Sequence, residues 1–491
     1  MLNIAIFAPL TAGLLALLLP NRRLRWIHSI ALGGALVALS ASLIIASRYT
    51  ATPGGAQFRT TLPWIPSINA SYDVAVDGLS LPLIVLTGVL LSASFIYGFG
   101  QPDKPKANTF LFLLMATGLN GLFAAEDLLL FYLFFEIALV PLYFIIGIWG
   151  HENRRYAAVK FFLYTRFGSL AMLLSFLALY VSIQPHTFSI VQIAAAQPFA
   201  RGGLSAAFVL FGLMLGFGVK LPVIPLHNWL PDAHVEAPTE GSVMLAGVLL
   251  KMGGYGMMRI MLTTVPQAVR DAAWILVVIA VASIVYGALA ALGQHDFKRL
   301  VAYTSINHMG YVLLAVAVYS ISGDARVREL AFTGAIYQMV SHGLLTGGMF
   351  FIAGIVQRKT GTRDMERLGG FINRAPSLSF VLALLAFGSV GLPGFSGFVS
   401  EFQIIGATIS LSVVAAVITV VGLLINTGVY LKVLGKLLMG NPPEPSTVMT
   451  EPGARPLFVT GSFAVLSLVL GVVPSALVQI IRGATQLMAH L

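Results

Sequence analysis

The sequence contains no cysteine and few charged residues. Of its 491 residues only 10% are Asp, Glu, Lys or Arg, whereas a soluble domain has roughly 25%. So few charges could not cover a globular surface in water, which excludes a soluble enzyme, a nucleic-acid-binding protein and a disordered chain. The missing cysteines exclude disulfides, thiolate metal ligands, cysteine-bound iron–sulfur clusters and a cysteine nucleophile. We therefore expect no redox centre in this chain.

Long apolar runs take up most of the chain, and 57% of its residues are hydrophobic. A helix that crosses a membrane needs about 20 predominantly apolar residues. Such runs form helices rather than open strands, because lipid offers no partner for unpaired backbone groups. The sequence therefore predicts an all-α polytopic membrane protein with about fourteen transmembrane helices. They are expected to begin near residues 2, 26, 78, 108, 127, 157, 204, 241, 272, 299, 330, 376, 410 and 457.

The distribution of basic residues predicts the orientation of the chain. When the loops are numbered from the N-terminus, the odd-numbered loops contain eighteen Lys or Arg residues, and the even-numbered loops with the C-terminus contain eight. Because Lys and Arg are concentrated on the cytoplasmic side, both termini are expected on the non-cytoplasmic side. Arginines follow the first apolar run rather than precede it, so we expect a retained helix and not a cleaved signal peptide. Three basic residues fall inside predicted helices: Arg166, Lys220 and Lys251.

Two helix breaks indicate an internal repeat. Lys220-Leu221-Pro222 interrupts the seventh run and Gly391-Leu392-Pro393 the twelfth, 171 residues later, while Glu136 and His308 are 172 residues apart. The repeat unit covers five helices, an odd number, so the second copy is expected to be inverted. Inverted repeats with broken helices are typical of ion and substrate transporters. We expect helices 1–3 in residues 1–105, the first repeat (helices 4–8) in 106–265, the inverted repeat (helices 9–13) in 266–440, and helix 14 in 441–491.

Ionisable residues inside a membrane are candidates for function, because each costs about 2.5–3.5 kcal/mol at the bilayer centre. Glu136 lies in an aromatic run, Lys220 comes directly before a break, and Lys251 lies about ten residues into its helix. We interpret all three as proton carriers, with Glu136 and Lys220 forming a switchable ion pair. The alternatives are a structural ion pair or a misplaced helix end for Glu136 and, for Lys220 and Lys251, a lysine whose side chain extends to the membrane surface.

Two histidines and a second glutamate complete the candidates. His308 and His342 lie in the tenth and eleventh predicted helices, and titratable groups in adjacent helices suit a proton relay. Hydrogen-bonded core histidines are the alternative. Glu401 follows the break in the twelfth helix and is a candidate for proton release, or else a helix-end carboxylate in solvent. No further His or Cys stands at ligand spacing, so we expect no metal site.

Several segments resemble the antiporter-like subunits of respiratory complex I. The most specific are residues 219–234 (VKLPVIPLHNWLPDAH) and 241–256 (GSVMLAGVLLKMGGYG), and Glu136 with its aromatic neighbours, Tyr156–Tyr164 and Gly391–Glu401 match as well. The resemblance extends from about the third helix to the thirteenth. This family comprises the L, M and N subunits of NADH–quinone oxidoreductase and relatives in multisubunit cation/proton antiporters and membrane-bound hydrogenases.

The resemblance implies a role for each candidate residue. With a glutamate, Glu401, in the twelfth helix, the chain resembles M-type subunits. The L and N types and the antiporter relatives carry lysine at this position. Arg166 departs from the family pattern, which has a small or apolar residue at this position. The residues that match the family's proton path are Glu136, Lys220, Lys251, His308, His342 and Glu401.

The function implied by the resemblance is that of a proton-translocating membrane-arm subunit of NADH:quinone oxidoreductase. Quinone reduction elsewhere in the complex would change the Glu136–Lys220 pair, so that Lys220 passes a proton toward Lys251. From there the proton would move through waters near His308 and His342 to Glu401 and the far side of the membrane. The expected partners are the other membrane-arm subunits, especially the L-type and N-type subunits, together with lipids and protons, but no nucleic acid. NADH, FMN, iron–sulfur clusters and quinone are expected in other subunits, with no cofactor in this chain.

Two other functions stay open at this point. A cation/proton antiporter subunit of an Mrp-type or hydrogenase complex would transport Na⁺ or K⁺ without NADH. A purely structural subunit would tolerate neutralisation of Lys220 or Lys251. The N-terminus has no transit-like composition. This fits the multi-pass protein of a bacterial plasma membrane that we expect, and organelle-encoded copies of the family lack a transit segment as well.

Overall fold

Helices account for most of the computed structural model, which describes residues 1–51, 55–98, 103–440 and 448–489. The predicted boundary between residues 440 and 441 lies at the edge of these described residues. The helices are α1 (Leu2–Leu18), α2 (Leu24–Arg48), α3 (Ser80–Tyr97), α4 (Pro105–Ala124), α5 (Leu128–Trp149), α6 (Arg154–Val181), α7 (Ile190–Ala196), α8 (Leu204–Lys220), α9 (Trp229–Glu236), α10 (Thr239–Thr264), α11 (Pro266–Leu292), α12 (Phe297–Ile321), α13 (Ala325–Thr360), α14 (Pro376–Ser389), α15 (Ser396–Leu411), α16 (Val413–Leu438), α17 (Ala454–Val472) and α18 (Ser475–Ala489).

The polytopic membrane class is confirmed. In the described part of the chain, eleven helices are long and apolar enough to cross a membrane. Three shorter apolar helices, α1, α8 and α14, have 14 to 17 residues. A helix begins within a few residues of every predicted start, because uninterrupted apolar sequence leaves the backbone no other way to satisfy its hydrogen bonds in lipid. The assignment of these helices to two inverted repeats stays a prediction.

Both predicted helix breaks are present. Helix α8 ends at Lys220, and α9 begins only at Trp229. The prolines between them lack the N–H that would continue the helix. Helix α14 ends at Ser389 and α15 begins at Ser396, with Gly391 at φ +77° in the connection. A positive φ suits glycine and strains other residues, so this turn depends on the glycine.

Helices α10, α12 and α13 form the centre of the bundle. The most apolar parts of α10 and α13 are buried along their whole length, whereas α2, α6, α11 and α16 expose one side. Lys251 is on α10, His308 on α12 and His342 on α13. Two π-helical turns, Leu245–Leu249 and Met257–Met261, flank Lys251. The central helices therefore place three of the predicted residues in the interior.

A small β-hairpin is an element that the all-α prediction does not include. Strand β1 (Gln57–Ile65) pairs antiparallel with β2 (Ala70–Val76). The backbone N–H of Glu126 donates to the carbonyl oxygen of Asp73 at 2.9 Å, which attaches the hairpin to the connection between α4 and α5. Open strand edges occur only outside the hydrocarbon region, and this segment is the longest polar stretch of the sequence.

Candidate functional site

A direct contact joins the central lysine to a histidine. Nζ of Lys251 donates to Nδ1 of His342 at 2.7 Å and to the carbonyl oxygen of Ala246 at 2.5 Å. Both side chains are buried, and Nε2 of His342 has no partner among the described residues. The amine and the imidazole are thus in position to exchange a proton through one hydrogen bond.

The contact continues through a second histidine to a glutamate. The rings of His342 and His308 lie 5.5 Å apart, centre to centre, at an angle of 61°. Nδ1 of His308 is 3.5 Å from Oε1 of Glu401 and 3.3 Å from Nε2 of Gln338. The structure therefore brings together four of the six predicted residues, from α10, α13, α12 and α15. We call Lys251, His342, His308 and Glu401 the central row.

The break between α14 and α15 positions Glu401. A Cβ added to Gly391 would collide with Oε2 of Glu401, so a larger residue here would displace the end of that side chain. Oε2 has no hydrogen-bond partner among the described residues. Ser400 donates a hydrogen bond to the side-chain carbonyl of Gln338, which orients the amide next to His308. The carboxylate therefore lies buried at the inner end of a helix break.

Glu136 has a different partner from the predicted one. Its Oε2 lies 2.5 Å from Nη1 of Arg166 on α6, whose side chain is 42% exposed on the outside of the chain. The predicted contact between Glu136 and Lys220 is not formed; α6 packs beside α5, and this packing places the guanidinium of Arg166 next to the carboxylate instead. Arg166, the residue that departs from the family pattern, thus takes the place expected for the lysine.

Lys220 lies in an aromatic enclosure. Its Nζ is 5.0 Å from the ring centre of Phe161, 5.7 Å from Phe135 and 5.9 Å from Trp229. It has no hydrogen-bond partner in the part of the chain that the structure describes. Aromatic faces attract a cation, yet they cannot replace the hydrogen bonds of an ammonium group. Lys220 is therefore a poorly stabilised cation, separate from the central row.

Two further buried cations are not among the three basic residues that the sequence places inside predicted helices. Arg259 and Lys298 lie in α10 and α12 and are only 8% and 1% exposed. Arg259 Nη2 lies 2.5 Å from Asp77, and Nη1 lies 3.8 Å from Glu126. Nothing in the local sequence indicates these pairings, since Asp77 and Glu126 are far away along the chain.

The cluster around Arg259 alters the acids next to the hairpin. Burial raises the pKa of Glu126 to about 7, although the nearby guanidinium opposes this. Burial also disfavours ionisation of Asp77, but Arg259 and the backbone N–H groups of Leu79 and Ser80 hold its pKa below the ordinary value. The two carboxyls thus differ, although they face the same arginine: Asp77 is ionised, and Glu126 titrates near neutrality. No group of three or more His, Asp or Glu that could hold a metal ion occurs among the described residues.

Known proteins of two related classes match this chain. A family model described as NADH:quinone oxidoreductase/Mrp antiporter, TM, matches residues 125–426. The NADH-quinone oxidoreductase subunit M of Rickettsia bellii is 35% identical over 98% of this chain and 96% of its own length. The chain belongs to the membrane-spanning family of NADH:quinone oxidoreductase and Mrp antiporter subunits. Its similarity to M-type subunits, inferred from Glu401, is confirmed.

Solved structures of the family share the fold. A chain of respiratory complex I from Thermus thermophilus with bound NADH is 28% identical, with a TM-score of 0.89, and the match covers 100% of this chain and 99% of that one. A chain of the Mrp complex from Dietzia sp. DQ12-45-1b has a TM-score of 0.83 over 99% and 96% of the two chains, at 22% identity. The second likeness concerns the fold alone. All six candidate residues lie within the matched family region.

Proposed function

We propose that this chain translocates protons as an M-type membrane-arm subunit of an NADH:quinone oxidoreductase. The observation that carries the proposal is the central row, in which four titratable side chains from four helices follow one another. Nζ of Lys251 lies 2.7 Å from Nδ1 of His342, and the ring centres of His342 and His308 are 5.5 Å apart. Nδ1 of His308 lies 3.5 Å from Oε1 of Glu401. Buried titratable groups in a membrane bundle are characteristic of proton relays.

In the proposed mechanism, protons move along the central row by exchange between neighbours. Neutral Lys251 takes up a proton and passes it to His342. His342 passes it to His308, with a water molecule bridging the longer step, and Glu401 releases it toward the non-cytoplasmic side. Each donor regains a proton from the preceding group, so no net charge accumulates in the interior.

Glu136 and Lys220 control this transfer. While Arg166 holds Glu136, Lys220 has no close anion and is ready to give up its proton. A charge change in a neighbouring subunit that moves Glu136 from Arg166 to Lys220 would favour the protonated lysine instead. Arg166 and Lys220 thus compete for the carboxylate of Glu136.

The proposal includes partners and orientation. The chain would contact other membrane-arm subunits, including L-type and N-type subunits, while NADH, FMN, iron–sulfur clusters and quinone belong to other chains. It would lie in a bacterial plasma membrane with both termini on the non-cytoplasmic side. The distribution of Lys and Arg over the loops supports this orientation.

The second candidate function is a cation/proton antiporter subunit, which the shared fold with the Mrp complex supports. That function predicts transport of Na⁺ or K⁺ driven by a pH gradient, without NADH. Glu401 favours the complex I function, because the resemblance assigns a lysine to this position in the antiporter relatives.

The experiment uses inverted membrane vesicles that contain the whole complex. We expect Lys251→Ala to lower NADH-driven acidification at least about tenfold, and quinone reduction to fall with it because the two are coupled. A Lys359→Ala variant, which removes a lysine at the end of α13, is the control and is expected to pump normally. If Lys251→Ala pumps with unchanged stoichiometry, the proposed function is wrong.

A further inference from the structure

The aromatic enclosure of Lys220 is built from helices on both sides of the first helix break. Phe135 and Phe161 belong to the long helices α5 and α6, whereas Trp229 is the first residue of the short helix α9. The ring of Trp229 lies 5.3 Å from that of Phe161, centre to centre, and its Nε1 donates to the carbonyl oxygen of Val219 at 3.0 Å. Because Phe161 and Trp229 are both fully buried, the start of α9 covers Lys220 at the end of α8.

A single carboxylate joins α9 to two other helices. Asp232 lies one turn after Trp229, and its Oδ2 is 2.7 Å from Nζ of Lys160 on α6. Its Oδ1 accepts a hydrogen bond from Nη2 of Arg299 on α12 at 3.0 Å. Lys160 directly precedes Phe161 in the chain. The pair between Lys160 and Asp232 therefore connects the two helices whose rings meet over Lys220.

The two ion pairs of Asp232 lie closer to water than the lysine that α9 covers. The side chains of Lys160 and Asp232 are 20% and 22% exposed, and that of Arg299 is 42% exposed, whereas Lys220 is fully buried. Partly exposed ion pairs contribute little each, so they can break and form again readily. Helices α6 and α12 both follow odd-numbered loops, which the proposed orientation places in the cytoplasm. The pairs thus stand between Lys220 and cytoplasmic water.

The other end of α9 is held by separate contacts. The backbone N–H of His151 donates to the carbonyl oxygen of Glu236 at 2.9 Å. Nζ of Lys298 donates to the carbonyl oxygen of Ala237 at 2.5 Å. Neither contact involves Asp232. When the pairs of Asp232 break, the first turn of α9 can therefore move while its last turn stays in place as a pivot.

We propose that Asp232 is a positioning residue that keeps α9 closed over Lys220, and that α9 opens to cytoplasmic water when the pairs with Lys160 and Arg299 break. This inference rests on the proposed function and adds the step at which Lys220 regains its proton. While α9 is closed, the aromatic rings exclude water, and Lys220 can pass its proton only toward the interior of the bundle. While α9 is open, the neutral amine takes up a proton that water carries from the cytoplasm. Closure then prevents the return of that proton.

The absence of native cysteine allows access to position 220 to be measured directly. In inverted vesicles with the whole complex, Lys220→Cys is treated with a small water-soluble methanethiosulfonate reagent on the cytoplasmic side, and the mass of this subunit reports the modification. We expect Asp232→Asn to speed the modification about tenfold, because two partly exposed ion pairs are lost. Glu366→Gln is the matched control. It removes a carboxylate from an ion pair with Lys436 that involves no residue of α9, and the rate should not change.

Two further variants separate the charge of Asp232 from general loosening of the fold. Asp232→Glu keeps the carboxylate, so position 220 should be modified nearly as slowly as with Asp232 itself. Lys160→Gln added to Asp232→Asn should cause no further acceleration, since both changes act on one contact. A modification rate that Asp232→Asn leaves unchanged, or that rises equally in Asp232→Glu, would overturn the inference.

Pumping gives a second measurement, in vesicles that retain Lys220. Asp232→Asn should lower acidification per NADH oxidised, because protons taken up by Lys220 can return to the cytoplasm, while quinone reduction continues. Lys251→Ala, in contrast, is expected to lower both activities. If Lys251→Ala fails to pump while Asp232→Asn changes neither thiol access nor acidification, the proposed function stands and the closing role of Asp232 is wrong.

Discussion

Among single residues, Glu136 matters most to the proposed mechanism because of its partner, Arg166. A guanidinium group stays charged under all physiological conditions, so Arg166 is a permanent competitor for the carboxylate. Lys220 contacts aromatic rings and has no hydrogen-bond partner among the described residues. In the proposed mechanism, the arginine on α6 therefore decides whether Glu136 is available to the lysine on α8.

The first prediction concerns this competition. Arg166→Leu should lower NADH-driven pumping about tenfold, because Glu136 would then remain with Lys220 and keep its proton in place. Acidification of inverted vesicles measures this effect. The double variant Arg166→Leu with Glu136→Gln should pump at least as fast as the slower of the two single variants, since both changes act on one contact. Effects that simply add would contradict a direct ion pair.

The second prediction concerns Glu401, the acid at the end of the central row. Glu401→Gln keeps the shape of the side chain but cannot take up or release a proton, so pumping should fall at least about tenfold. Glu401→Asp keeps the carboxyl and should retain a measurable fraction of the activity. The two variants are compared by acidification per NADH oxidised. Acidification by Glu401→Gln at the wild-type level would show that proton exchange at this position is unnecessary.

At the scale of an element, the break between α14 and α15 combines a special backbone conformation with a functional side chain. Gly391 has φ +77°, and its position leaves no room for a Cβ beside Glu401. Gly394, in the same connection, has φ +100° but has open space around it. The two glycines thus share the backbone requirement and differ only in the neighbouring carboxylate.

This pair gives the third prediction. Alanine at either position should destabilise the connection by about 1–3 kcal/mol, because a positive φ strains a residue with a Cβ. Only Gly391→Ala should also reduce pumping strongly, since its methyl group displaces Glu401. Thermal unfolding of the purified complex and vesicle acidification measure the two effects. A pumping loss of similar size in Gly394→Ala would mean that backbone strain alone is responsible.

The cluster of Arg259, Asp77 and Glu126 beside the hairpin supports a fourth prediction, which concerns the pH dependence of stability. The folded state raises the pKa of Glu126 from 4.5 to about 7 and so binds its proton more tightly than the unfolded state does. The contribution of this residue to stability is therefore present below about pH 4.5 and decreases as the pH rises to about 7. Glu126→Gln should remove that decrease. Unfolding temperatures between pH 5 and 8 should fall more steeply for wild type than for the variant, and parallel curves would contradict the assignment.

The sequence predicts helices better than it predicts contacts between them. Apolar runs indicate the helices, and Pro222 and Gly391 indicate the breaks, because these effects are local. The pairing of Glu136 with Arg166 depends on which sides of α5 and α6 face each other, and no local pattern specifies this. The Arg259–Asp77 contact joins residues 182 positions apart. The central row was predicted as a set of residues, but its order and distances required the packed bundle.

At the scale of the whole molecule, orientation is open to a direct test, because the chain has no cysteine of its own. Asn21→Cys lies in the first loop and Gly323→Cys in the tenth, and both positions are exposed. In intact spheroplasts, a membrane-impermeant thiol reagent should label Gly323→Cys but not Asn21→Cys. Permeabilised cells should show labelling of both. The reverse pattern in intact spheroplasts would place the termini in the cytoplasm.

The length of α13 has an electrical consequence. Its 36 residues extend over about 54 Å, beyond the roughly 30 Å hydrocarbon core, and Arg328 and Arg358 lie near its opposite ends. His342 is at the middle of this helix, and with the helix centred in the bilayer it lies about halfway through the transmembrane voltage. Moving one charge across 100 mV requires about 2.3 kcal/mol, so arrival at His342 and departure from it each require about half. The voltage across a respiring membrane would then oppose the movement of a proton to His342 and its movement away from His342 equally.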